Sequence, residues 1–114
     1  EGPLGITRDR QGTVTVLRDL NRGTVYDGPL VILVNGMSAS ASELLAGVLQ
    51  DYNRGVVVGE TTYGKGSMQN FFPIHVGFTD VDYSKINGSM LKITTDKFYR
   101  VTGKSIQSKG IRPD

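Results

Sequence analysis

Ser38, Ser40 and Ser42 alternate with alanines directly ahead of Glu43, and Lys65 lies further on between two glycines, with Gln69 four residues beyond it. A serine hydroxyl is a weak nucleophile at neutral pH and acts only beside a base. Histidine is the usual base, but the sequence holds a single one, His75, in a polar irregular stretch, and its role is left open. A lysine amine serves instead when burial against apolar groups holds it neutral, at a cost of roughly 4 kcal/mol to the charged form. Gly64 and Gly66 let the backbone turn sharply and bring Lys65 inward, and Gln69 is placed to accept a hydrogen bond from the amine. The chemistry within reach of this set is acyl transfer by a lysine-activated serine.

Such residues need elements to hold them. Residues 30–34 form a continuous apolar run, expected of a parallel strand covered on both faces. From Ser40 the period changes: Ala41, Leu44, Leu45, Val48, Leu49 and Tyr52 recur at three and four residues and predict a helix with that face buried. Glu43 falls in its first turn and Arg54 in its last, both favourable to the helix dipole, and Gly55 is placed to end it. Gly47 inside the helix costs ~1 kcal/mol relative to alanine, which points to close packing against a neighbour. Residues 56–58 read as a second buried strand closed by Gly59. In a right-handed βαβ crossover the two strands run parallel, so the Ser40 loop and the Lys65 loop leave the same sheet edge and meet. A hydroxyl on a strand-to-helix turn also lies beside the free N–H groups that a developing oxyanion needs.

Elsewhere residues 13–17 alternate as a strand, 21–23 turn, and 24–26 predict a second short strand. Residues 67–72 read as a strand stopped by Pro73, 75–87 as an irregular surface excursion, and 90–101 as an extended strand after the Asn87-Gly88 turn. Gly103, Gly110 and Pro113 mark turns. With 114 residues, 38% of them apolar and 21% charged, the composition fits one soluble domain or part of one. A net charge of +2 makes no case for nucleic acid or a membrane surface. The absence of cysteine excludes disulfides and thiol chemistry, and a single histidine removes most zinc arrangements. No apolar run reaches ~18 residues and no signal-peptide pattern opens the chain, so any export signal is expected outside it.

Competing readings exist for the same residues. Ser40-Ala41-Ser42-Glu43 is also a capping-box pattern, in which Ser40 only caps a helix. The run from Gly59 to Lys65 has the front of a phosphate-binding loop, but Gly66 stands where that motif needs Ser or Thr, and the residues after it make a poor helix. Nucleotide binding is rejected on that mismatch. A non-catalytic peptide-binding or assembly module is the alternative from another class, with the strand over 90–101 offering an edge to an extended peptide.

The stretch GPLVILVNGMSASASELLAGVLQDYNRGVVVGETTYGKGSMQ resembles the catalytic core of the C-terminal processing peptidases, or tail-specific proteases, and FYRVTGKSIQSKGIRPD is similar to the segment closing that core. The ending most resembles the larger periplasmic bacterial members. The resemblance covers most of residues 28–114, while 1–27 fit only loosely. It implies an α/β fold, a fragment of a ClpP/crotonase-like core with a βαβ unit and additional β-strands. It also implies Ser40 as nucleophile, Lys65 as general base, Gln69 supporting the lysine, and the Ala41 N–H as an oxyanion donor, with no metal or cofactor. The implied partners are proteins or peptides held through their C-terminal regions, not nucleic acid or nucleotides, outside the cytoplasm. Homo-oligomerisation and membrane attachment are left open. The family's glycine-rich turn with the second oxyanion donor, and its PDZ domain, match no segment of residues 1–114, so a partial core is expected. Losing one oxyanion donor costs ~3 kcal/mol, so such a fragment alone is expected to be nearly inactive.

Overall fold

The computed structural model describes residues 2–21, 23–74 and 90–114. The chain runs β1 (Pro3–Asp9), β2 (Val14–Arg18), β3 (Val31–Val34), α1 (Ala41–Asp51), β4 (Val56–Gly59), β5 (Ser67–Pro73) and β6 (Met90–Tyr99). Two sheets result. One is antiparallel with the order β2-β1-β6-β5, and the other pairs β3 with β4 in parallel. The expected βαβ unit is therefore present, and the fold is mixed α/β.

β1 is a strand the sequence pattern does not announce, because Pro3, Gly5 and the charged Arg8 and Asp9 break its alternation. Its glycine has a packing reason: a Cβ on Gly5 would lie 2.8 Å from Leu44 Cδ1 of α1. The expected short strand over 24–26 is not formed. That stretch is instead held by Arg54, whose guanidinium donates to the Tyr26 and Gly28 carbonyls, so Arg54 is not the cation of the last helical turn. The helix ends at Asp51 and Asn53, not Gly55, takes the left-handed conformation at φ 52°.

The buried face of α1 is offset from the one its apolar residues predict. Glu43, Ala46, Gly47 and Val48 are buried, while Leu45 is exposed. A carboxylate displaces leucine from that face because hydrogen bonds satisfy it there. Gly47 does pack closely, since a Cβ would sit 3.0 Å from Ile111 Cδ1. The core joins Val34, Ala46, Val57 and Phe98 to Ile106 and Ile111, with Ile32 and Leu44 packed beside them. Two fully buried isoleucines thus come from the segment after β6, which drapes over the helix and β4. Asp114 extends that drape: its N–H donates to the Val57 carbonyl at 3.0 Å and its carboxylate accepts the Val57 N–H at 2.8 Å.

β3 is not covered on both faces. Val31 and Leu33 are 59% and 79% exposed, so one face of the parallel pair is open among the described residues. β6 is only partly an edge: Asp96 and Lys97 pair with both β1 and β5, Phe98 and Tyr99 pair with β1, and Met90 to Thr94 pair with β5 alone. No described helix is long and apolar enough to cross a membrane. His75 and the predicted excursion over 75–87 lie outside the described residues.

Candidate active site

The turn after β3 is built from its own side chains. Asn35 Oδ1 accepts the Met37 N–H at 2.9 Å, the Ser38 N–H donates to the Asn35 carbonyl at 2.9 Å, and Ser38 Oγ accepts the Asn35 N–H at 3.1 Å. Ser38 is thereby committed to closing the turn. Ser40 follows with φ 60° and ψ −118°, a backbone conformation that costs a non-glycine residue about 1–3 kcal/mol. The adjoining structure supplies that strain energy, as it does at the sharp strand-to-helix turns that expose a nucleophilic hydroxyl.

Ser40 and Glu43 form a capping box at the start of α1. The Ser40 hydroxyl faces the Glu43 N–H, whose hydrogen bond goes to the Ser40 carbonyl at 3.0 Å. Glu43 Oε2 in turn accepts the Ser40 N–H at 2.7 Å. The Ala41 N–H at the start of α1 donates to no acceptor among the described residues. A free Ala41 N–H beside the Ser40 hydroxyl at a helix N-terminus suits stabilisation of an oxyanion.

The second loop begins at Gly59, whose φ of 129° and close approach to the Val34 carbonyl leave no room for a Cβ. From there the chain crosses to the serine turn: the Tyr63 N–H donates to the Ser38 carbonyl at 3.0 Å. The fully buried Glu43 carboxylate completes the junction. It accepts the Gly64 N–H at 2.6 Å, the Lys65 N–H at 2.8 Å and the Thr62 hydroxyl at 2.5 Å. Because Oε2 accepts from both Ser40 and Lys65, their backbone nitrogens lie within about 5.5 Å of each other, the sum of the two bonds. The expected meeting of the two loops is thus realised.

The glycines flanking Lys65 serve different ends. Gly64 turns the chain at φ 90°, whereas Gly66 allows close approach, a Cβ there lying 2.7 Å from the Gln107 nitrogen. The segment after β6 grips both, the Ser108 N–H donating to the Gly64 carbonyl at 2.8 Å and Gln107 Oε1 accepting the Gly66 N–H at 2.9 Å. The Lys65 side chain is half-buried rather than buried. Gln69 stands on β5 beyond a bulge between Met68 and Gln69, and its Nε2 donates to Ser67 Oγ at 3.0 Å and Thr94 Oγ1 at 3.2 Å. That leaves its Oε1 as the atom a lysine amine would donate to.

The mismatch with a phosphate-binding loop also has a structural counterpart. The Gly64 and Lys65 N–H groups, which would cradle a phosphate, are taken by the Glu43 carboxylate, and the chain continues as β5 and not as a helix. Sequence reasoning placed Glu43 at the helix start but missed it as the junction, along with Thr62 and Gln107. No signal in the spacing marked Glu43 for burial, since it lies off the apolar face that the spacing predicts.

Comparison with known proteins agrees with this geometry. The family model described as peptidase family S41 matches residues 1–114. The chain is 39% identical over its whole length to a tail-specific protease from Haemophilus influenzae, and spans 16% of that protein. It is 38% identical, again over its whole length, to a carboxy-terminal-processing protease from Bartonella bacilliformis, spanning 24% of it. A photosystem II D1 C-terminal processing protease superposes with a TM-score of 0.70 at 36% identity, covering 99% of this chain and 26% of that one. A lipoprotein from Streptococcus agalactiae, 18% identical, shares the fold at a TM-score of 0.75 over 99% of this chain and 39% of its own. With the elbow, the second loop and the whole-length likeness in agreement, the chain belongs to peptidase family S41.

Proposed function

We propose that this chain carries the nucleophile and the base of a serine endopeptidase that cuts proteins near their carboxyl termini. The carrying observation is the strained Ser40 elbow, tied through Glu43 to the backbone of Lys65. Lys65 in its neutral form takes the Ser40 proton as Oγ attacks the peptide carbonyl, and the oxyanion meets the Ala41 N–H. Protonated Lys65 then gives its proton to the leaving amine. Water, with Lys65 again as base, releases the acyl group. Gln69 Oε1 holds the amine in line.

The substrates in this reading are protein chains presenting a free C-terminal region, and the protein works outside the cytoplasm. The names of relatives that process carboxyl termini, among them a chloroplastic peptidase from Arabidopsis thaliana, support the substrate class. The test is cleavage by the full-length protein. Ser40→Ala and Lys65→Ala each lower kcat/KM by at least about 10³-fold. Ser42→Ala and Ser38→Ala keep substantial activity, the latter at a stability cost of about 1 kcal/mol for its turn hydrogen bond. Normal turnover by Ser40→Ala would sink the assignment.

A further inference from the structure

Burying a carboxylate is costly unless every lone pair finds a donor, so a fully buried Glu43 calls for a reason beyond starting a helix. Its two oxygens divide the work. Oε2 bridges the Ser40 and Lys65 N–H groups, and Oε1 takes the Gly64 N–H and the Thr62 hydroxyl. Thr62 Oγ1 in turn accepts the Ile111 N–H at 2.7 Å, which leaves its proton no better direction than Glu43. A continuous chain of hydrogen bonds therefore runs from Ser40 through Glu43 and Thr62 to the core residue Ile111.

Building on the Ser40–Lys65 reading, we propose that Glu43 and Thr62 are positioning residues that fix the nucleophile and the base at working separation and orientation. They touch neither substrate nor reacting atoms. Their chemistry is specific, because only a carboxylate can accept from all four donors. A glutamine of the same shape must aim its amide N–H groups at Ser40 and Lys65 on one side or at Gly64 on the other, and either orientation opposes donor to donor. A displacement of about 1 Å between reacting groups costs on the order of 10²-fold in rate. A role of this kind is felt in kcat and not in KM.

The experiment uses the full-length protein, a peptide substrate for kcat and KM, and titration of active sites with a serine-reactive phosphonate so that rates refer to folded molecules. Thr62→Val keeps the shape, removes the donor to Glu43 and leaves the Ile111 N–H without its acceptor. It is expected to lower kcat about tenfold or more with KM within about twofold, and Thr62→Ser, which keeps the hydroxyl, to recover most of that loss. Glu43→Gln is expected to lose about 10²-fold or more in kcat. Should Glu43→Gln fail to fold, the Thr62→Val and Thr62→Ser pair decides. A Thr62→Val enzyme with kcat per titrated site within about twofold of wild type overturns the proposal, even if its melting temperature falls. Ser40→Ala separates the two claims: if it still cleaves, the dyad reading fails, whereas an inactive Ser40→Ala beside an unimpaired Thr62→Val removes the positioning role alone.

Discussion

Replacing Arg100 by methionine keeps most of the aliphatic stem and removes the guanidinium that anchors the far end of α1. Arg100 Nε and Nη2 grip both Asp51 oxygens, at 2.9 and 2.6 Å, and Nη2 also donates to Gln50 Oε1 and to the Gly47 carbonyl. The two charged side chains are 15% and 9% exposed, so this is a nearly buried, bidentate pair. Arg100→Met leaves the Asp51 carboxylate without a counter-charge at a helix C-terminus, where the dipole also opposes it. Breaking one partner of a buried pair costs about 3–5 kcal/mol, and the slight exposure of this one favours the lower end. Asp51→Asn combined with Arg100→Met closes a double-mutant cycle, expected to give a coupling of about 2–3 kcal/mol. Urea unfolding of the full-length protein, followed by circular dichroism, supplies the four stabilities. A coupling below about 0.5 kcal/mol, the value of a solvent-exposed pair, would refute the claim that Arg100 and Asp51 form one anchoring unit.

Two further outcomes follow from the segment after β6. Gly110 has φ 68° and faces the Thr62 carbonyl so closely that a Cβ has no room, so Gly110→Ala should cost about 2 kcal/mol or more in urea unfolding and lower cleavage as the grip on the Lys65 loop loosens. The Asp114 carboxyl is held below its ordinary value, first by the Val57 N–H, then by the Gln50 amide and the Arg100 charge, against the opposing effect of desolvation. A depressed folded value contributes stability that is present above the unfolded carboxylate range and lost as pH falls through the folded value. Asp114→Asn should therefore flatten the melting temperature against pH below about pH 4, which thermal unfolding in acidic buffers reads directly.

The strand–helix–strand frame was legible because its signals are local: an apolar run, a change of period at Ser40, then a second apolar run. The meeting of the two loops followed from handedness alone. What escaped depended on contacts made far along the chain. β1 looked irregular because Gly5 is shaped by Leu44, and the helix face was misread because Glu43 is buried by donors from residues 62–65. Arg100 takes the place expected of Arg54 for the same reason: proximity in sequence suggested Arg54, while the fold brought Arg100 to the helix end. Lys65 and Gln69 could be proposed from their types and Ser40 chosen among three serines from the family resemblance, but the carboxylate that joins their loops could be seen only once those loops met.

Mass spectrometry of the full-length protein after exposure to a peptidyl phosphonate tests the central claim most directly. The account predicts a single covalent adduct on the peptide containing Ser40, absent in Ser40→Ala and formed at least about 10³-fold more slowly in Lys65→Ala. An adduct on Ser38 or Ser42 instead, or peptide cleavage that proceeds with Ser40 unlabelled, would contradict it.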